Sequence, residues 1–313
     1  GAAHFTVGSM VRGDQFQTGR LPHTGLVMTS PLEDSVVTDS AAAATAYATG
    51  VATKYTRVGV DGAGEARTTV LEVAEQLGKS TGLVTTANFW DATPAAFAAH
   101  NKSRYESEDL IRQMLTSGAE IIAGGGAQHF GSEGRPTLAE LAESTGYQLI
   151  DSRAKLDSVK GEKLFAVYPR ADREVDFDEV RLPVLARWAI DHLSKDPDGF
   201  FLLIEHEGTD GAAHANLTDK FIASMVSFDE AVGVALDYAT ARKDVLIVVT
   251  GDHETGGLQI LREKGKVMEL GWATKSHTGE MIPIFAIGPG AETFHGLMTG
   301  ADVGKKLLQF LRP

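Results

Sequence analysis

The sequence predicts an α/β fold: a three-layer sandwich with a largely parallel central sheet covered by helices on both faces. Two observations carry this. Short β-rich runs alternate along the chain with helical patterns. The runs are also near-continuously apolar rather than alternating, as strands covered on both faces must be. The runs are Gly82–Thr86, Glu120–Ala123, Phe200–Ile204, Val245–Thr250 and Ile282–Ile287. The helical patterns cover about Thr68–Leu77, Glu106–Thr116, Thr137–Glu143, Arg181–Leu193, Thr218–Arg242 and Ala301–Leu311. In the fifth of these, Phe221, Met225, Phe228, Val232 and Leu236 recur at spacings of three and four, which makes one buried stripe. Residues 130–180 are richer in charge and poorer in pattern. They read as a peripheral excursion from one domain spanning 1–313.

Composition sets limits on function. With 43% hydrophobic and 23% charged residues, 313 residues can bury a substantial core. The net charge is −13 and no dense Lys/Arg block offsets it, which argues against nucleic acid as a partner. No apolar stretch approaches the ~20 residues of a membrane span. The chain has no cysteine, so disulfides, thiolate chemistry and Cys-based zinc sites are excluded.

The segment Val36–Gly50 is the most informative. Thr38 or Asp39 can cap a helix, alanines fill it, and Gly50 can end it. Ser40 then falls at the helix N-terminus, where the dipole and free N–H groups favour an anion. A hydroxyl held there either binds phosphate or attacks a phosphoryl group. Alone, the segment also fits an ordinary capped core helix.

Polar residues gather after the predicted strands. Glu205, His206, Glu207 and Asp210 follow one, Asp252, His253 and Glu254 another, and Asp91 and Thr93 a third. Ligands of open α/β sheets bind beyond such strand ends. Asp210 and His214 are four apart, the spacing that puts two side chains on one helical face. Glycines around Asp252-His253 let a strand end bend so that adjacent side chains converge. His277 precedes the last predicted strand. Thr93 reads as a helix cap and Pro94 as the first helical residue, and Arg104 offers a guanidinium that can clamp two oxygens. Singly, each fits a helix surface, a loop or a solvated charge. Together the carboxylates and histidines suit zinc, and the extra oxygens suit magnesium.

The combination resembles the alkaline phosphatase family from about Leu21 onward. The matching motifs are Thr38-Asp39-Ser40-Ala41, Asp91-Ala92-Thr93-Pro94 with Arg104, Glu205 through His214, Gly251-Asp252-His253-Glu254, and His277-Thr278-Gly279. The resemblance implies hydrolysis of small phosphate monoesters with broad specificity, through a phosphoserine at Ser40, with Arg104 binding phosphoryl oxygens. It implies that Asp210, His214 and His277 hold one zinc, and that Asp252 and His253, with Ser40, hold a second. Thr93 and Glu205 would serve a magnesium, with Asp91 in or near its shell. Glu207 competes with Glu205, but Glu205 has the family's offset to Asp210. A periplasmic or secreted location follows by the same resemblance, and residues 130–180 are the candidate rim or homodimer element. A phosphodiesterase or sulfatase of the same superfamily, or an impaired phosphate- or metal-binding relative, is the alternative. In one respect the chain departs. The family's first core strand ends in an Asp-Gly pair bridging two metals, and Gly1-Ala2-Ala3-His4 stands where that pair would just have ended. The expectation is a sheet interrupted beside Ser40, or another segment filling that place, and an Asp252/His253 pair short of one carboxylate.

Overall fold

The computed structural model describes residues 1–32, 35–132, 134–169, 180–240, 242–264 and 267–312. Its helices are α1 (Ala2–Arg12), α2 (Ser40–Thr49), α3 (Val70–Gln76), α4 (Ala92–Ala98), α5 (Ser107–Leu115), α6 (Leu138–Thr145), α7 (Arg153–Ser158), α8 (Leu182–Leu193), α9 (Gly208–His214), α10 (Thr218–Thr240) and α11 (Gly300–Leu311). Strands β1 (His23–Met28), β2 (Ser80–Asn88), β3 (Ile121–Gly125), β4 (Gln148–Ile150), β5 (Leu164–Tyr168), β6 (Phe200–Glu205), β7 (Ile247–Thr250), β12 (Ile282–Ile287) and β13 (Gly296–Thr299) form two sheets. Near the site, β8 (Glu254–Thr255) pairs with β11 (His277–Thr278), and β9 (Leu258–Lys264) forms a hairpin with β10 (Val267–Trp272).

Five strands, in the order β4-β5-β3-β2-β6, are all parallel. The other four run β13-β1-β12-β7, with β12 antiparallel to both neighbours and β1 parallel to β13. Alternate strand residues enter different cores, so both faces are covered. Leu83, Ile122, Phe165 and Val167 join a cluster with α2, α3, α4 and α11. Val84, Ile121, Ala123, Leu164 and Ala166 join one built on α8. The stripe of α10 packs as its spacing predicts: Phe221, Met225, Val232 and Leu236 are buried and Phe228 is partly so.

Residues within 130–180 also contribute to the sheet. There β4 and β5 extend it beyond β3, and all five residues of β5 are buried. Residues 170–179 lie outside the described residues. The N-terminal segment, whose sequence shows no helical pattern, forms α1 and lies along α10. The fully buried carboxylate of Asp229 fixes the turn after α1, accepting the amides of Gln17 at 3.0 Å and Thr18 at 2.9 Å.

The sheet is interrupted as expected. Among the described residues β6 pairs only with β2 and β7 only with β12, and both line one cavity of about 720 Å³ that Ser40 also lines.

Helix α2 is held from behind by α11 at backbone distance. A Cβ at Gly304 would stand 2.3 Å from the Ala46 carbonyl oxygen and 2.6 Å from the Gly50 nitrogen. Since neither contact is a movable side-chain end, Gly304→Ala must part the helices. Its expected cost is about 1–3 kcal/mol, measured by denaturant unfolding. Unchanged stability would show that α2 is not fixed by this contact.

Candidate active site and metal-binding group

Helix α2 starts at Ser40 because Asp39 caps it. Asp39 is extended (φ −104°, ψ 168°), and its carboxylate accepts the Ala42 amide at 3.1 Å. Gly50, at φ 70°, ends the helix in the left-handed conformation, as its sequence position predicts. Ser40 Oγ lies 3.0 Å from His253 Nε2.

The strand ends deliver their carboxylates and imidazoles to this place. Asp210, His214 and His277 each offer one ligand atom, all within 4.8 Å of one another. His214 Nε2 is 3.3 Å from Asp210 Oδ2, and His277 Nε2 is 3.8 Å from Asp210 Oδ1. The Nδ1 atoms of both rings face backbone carbonyls, His214 that of Lys275 at 2.6 Å and His277 that of Thr38 at 2.8 Å. These contacts place the Nδ1 proton and leave the two Nε2 atoms, 3.1 Å apart, directed at the same point. Two nitrogens and a carboxylate converging in this way fit a zinc ion. The ring of His253 stacks on that of His277 with centroids 3.5 Å apart, and its Nε2 is 3.1 Å from Asp252 Oδ2. Asp252 and His253 therefore sit beside Ser40, while among the described residues the group of three is Asp210, His214 and His277.

The electrostatics are those of a dense charge cluster. Burial opposes ionisation of Asp252, yet the charge of His253 and hydrogen bonds from His253 and Ser40 hold it below the usual carboxylate range. The hydrogen bond to Asp210 pushes His214 up to about 9. Burial pushes Glu205 up to about 8, with Asp91 and Asp252 adding to the rise against the hydroxyls of Thr85 and Thr93.

Helix α4 begins earlier than Thr93 and Pro94 predict. Asp91 is its N-cap, accepting the Ala92 amide at 2.8 Å. Pro94 is tolerated inside the first turn because amides there have no intrahelical partner. Thr93 is thereby released from capping and bonds Glu205. Arg104 donates to Asp91 at 2.9 Å and to Asp39 at 3.5 Å.

Eight of the ten site residues picked out by sequence, Ser40, Asp91, Thr93, Arg104, Glu205, Asp210, Asp252 and His253, line the cavity, and His214 and His277 join them through Asp210. Three partners escaped that reading. Thr85 donates to Glu205 at 2.5 Å. The Thr255 hydroxyl lies between Asp210 and His253 Nδ1. Tyr47 donates to the Gly251 carbonyl at 2.8 Å, tying α2 to the Asp252 turn. Thr255 follows His253 by two residues and could have been found by that spacing; Thr85 and Tyr47 carry no such signal.

Comparison with known proteins agrees with this arrangement. The alkaline phosphatase family profile matches residues 7–268. Alkaline phosphatase 4 of Bacillus subtilis is 29% identical, over 92% of this chain and 80% of that protein. Alkaline phosphatase of Escherichia coli is 33% identical, over 91% of this chain and 76% of that protein. The structure of alkaline phosphatase from the Antarctic bacterium TAB5 superposes with a TM-score of 0.92 at 28% identity, covering 100% of this chain and 95% of that one. Motif order, site geometry and these likenesses converge: the chain belongs to the alkaline phosphatase family, whose members hydrolyse phosphate monoesters.

Proposed function

We propose that hydrolysis proceeds through a phosphoserine on Ser40, at a site holding two zinc ions and one magnesium ion. The observation that carries this reading is the position of Ser40 Oγ, at the mouth of α2 and 3.0 Å from His253 Nε2.

Asp210, His214 and His277 would hold one zinc, and Asp252 and His253, with Ser40, the second. Glu205, Thr93 and Asp91 form an all-oxygen set of the kind magnesium takes. Bound there, the ions supply Lewis acidity that lowers the pKa of a coordinated hydroxyl or water. Ser40 Oγ gives up its proton to water and attacks phosphorus in line: the Oγ–P bond forms, the ester P–O bond breaks, and the leaving alkoxide takes a proton from water. Water then attacks the same phosphorus, the Oγ–P bond breaks, and Ser40 regains its proton as phosphate departs. Arg104 has five N–H donors, and its contacts with Asp91 and Asp39 leave others for phosphoryl oxygens while fixing the plane of the group. The positive end of α2 offsets charge on those oxygens. A periplasmic or secreted location and a homodimer belong to the same reading, supported by family membership. Among the described residues, no helix is long and apolar enough to cross a membrane.

Ser40→Ala should lower kcat by about 10³-fold or more and remove the phosphoenzyme trapped at acid pH. A normal yield of acid-stable phosphoenzyme from that variant would refute the nucleophile. Chelation should abolish turnover. His277→Ala should weaken zinc binding by more than the ~10–100-fold that loss of an outer-sphere partner costs, read by equilibrium dialysis, without unfolding the chain. Zinc bound as tightly by the variant as by the parent would remove His277 from the ligands.

The Glu205 carboxyl sets a pH dependence for magnesium. A cation takes the carboxylate, not the acid, so with the group pushed up to about 8 binding releases a proton below that pH. Magnesium affinity should therefore rise by up to about tenfold per pH unit toward pH ~8 and then level off, and Glu205→Gln should flatten the curve. Titration calorimetry in two buffers of different ionisation heat reads both. A flat parent curve would exclude Glu205 as the group.

A further inference from the structure

The segment that carries Arg104 is tied to the loop after α2 by a short antiparallel pairing. Val58 and Asn101 exchange bonds of 2.9 and 2.8 Å, and the Arg104 amide donates to the Thr56 carbonyl at 2.7 Å. The loop half of this pairing is strained. Thr56 has φ 63°, in the left-handed region that β-branched residues avoid. Such a residue persists only where its surroundings over-determine it. At one end the Thr56 amide is held between the Asp39 oxygens, at 3.3 and 3.2 Å. At the other end stands His100.

His100 Nδ1 lies 2.7 Å from the Gly59 carbonyl oxygen, and Nε2 lies 2.8 Å from Glu72 Oε1. Glu72 is an acceptor here, its other oxygen taking the Thr69 amide at 2.9 Å in the capping box that starts α3. Two acceptors require two N–H donors, so the ring is an imidazolium. The main chain of His100 is held as well, its amide donating to Gln113 Oε1 of α5 at 2.9 Å and its carbonyl accepting Gln113 Nε2 at 3.0 Å. Gly59 lets the two segments meet at backbone distance: a Cβ there would stand 2.1 Å from the Ala99 carbonyl oxygen. Its amide donates to Thr45 of α2 at 2.9 Å. Of the surrounding charges, Glu72 faces the ring. On α5, Asp109 accepts from Asn101 at 2.8 Å and Gln113 at 2.6 Å, while in the loop Arg67 bonds Asp61 and Arg57 bonds the Asp61 and Gly62 carbonyls. The hydrogen bond to Glu72 holds the His100 pKa above its ordinary value, against partial burial.

We propose that His100 is a positioning residue for Arg104: its imidazolium clamps Gly59 to the Arg104 segment and so fixes the guanidinium, without touching substrate. This role rests on the proposed reading of Arg104 as the phosphoryl-binding group. Gly59 belongs to the paired loop and Glu72 does not, so the Nδ1 bond is the one that acts on Arg104. A neutral ring can donate from one nitrogen only. The bond to a carboxylate is the stronger, so the remaining proton stays on Nε2 and the Gly59 bond is lost. That bond is therefore complete below the folded-state pKa and disappears as pH rises through it.

The test uses the metal-loaded enzyme and reads inhibition by inorganic phosphate, KM and kcat across pH, with the His100 midpoint taken from ring NMR. Asn at position 100 places an N–H where Nδ1 stands, and Gln places one where Nε2 stands. Below the midpoint, His100→Gln should weaken phosphate and raise KM by about 3–10-fold, with kcat changed less, and His100→Asn should match the parent. Above the midpoint the parent should fall to the level of His100→Gln while His100→Asn keeps its affinity. Glu72→Gln should move the NMR midpoint and the pH of weakening down together. If His100→Gln fails to fold, the parent compared with His100→Asn across pH decides. The proposal is overturned if the two variants behave alike at every pH, or if His100 titrates at or below 6.5. Arg104→Ala separates the two claims. If it weakens phosphate and His100→Gln does not, the positioning role falls and the Arg104 reading stands; if it leaves phosphate binding unchanged, both fall.

Discussion

The site depends first on the carboxylate of Asp39. It is 7% exposed, and a buried carboxylate is tolerable only when its lone pairs are used. Asp39 uses them on three parts of the chain. It accepts the Ala42 amide at 3.1 Å, which starts α2 at Ser40; the Thr56 amide at 3.2 Å, which anchors the loop after α2; and Arg104 at 3.5 Å. The backbone repeats the connection. Val58 and Asn101 exchange amide–carbonyl bonds of 2.9 and 2.8 Å, and the Arg104 amide donates to the Thr56 carbonyl at 2.7 Å. Residues 39, 56 and 104 are thus tied by main-chain pairing as well as by the side-chain bonds of Arg104 to Asp39 and Asp91.

A second buried carboxylate organises the opposite wall. Glu254 is 1% exposed and accepts the Gly257 and Leu258 amides at 3.1 Å each, and the Thr278 hydroxyl. This closes the turn after His253 and holds β11 against β8. The pairing of Thr278 with Glu254 and of His277 with Thr255 places the two imidazole rings face to face. The geometry of the candidate metal-binding group is therefore prepared by bonds made one layer out.

The two sheets are joined across the cavity by helix packing and by side-chain bonds at the site, among them that of the Thr255 hydroxyl to Asp210. Helices α2, α4 and α11 lie on one face and α8 and α10 on the other, and residues of both sets line the space between β6 and β7. Glu205 and Asp252 stand at the same end of this space, one on each side. Burial there opposes the charged form of both, and the partners of each decide the outcome: Glu205 is pushed up, whereas His253 and Ser40 hold Asp252 down.

The sequence by itself determined the elements whose signals are local. Asp39, a run of alanines and Gly50 define α2 almost to the residue, the stripe from Phe221 to Leu236 defines α10, and buried parallel strands show as apolar runs. It also pointed to which residues gather, because they follow predicted strands, beyond whose carboxyl ends the ligands of open α/β sheets bind. Elements with weak local signals were not legible. Helix α1 has little periodicity and takes its shape against α10, while β4 and β5 lie in a charge-rich stretch and are strands because β3 offers them an edge. Only the tertiary structure decided that Asp91 rather than Thr93 caps α4, since both can cap and the choice falls to what else each must bond. Likewise, which nitrogen of His214 and His277 faces the metal group, and how Thr85, Thr255 and Tyr47 brace it, depend on contacts between residues distant in sequence, and no short-range pattern encodes those distances.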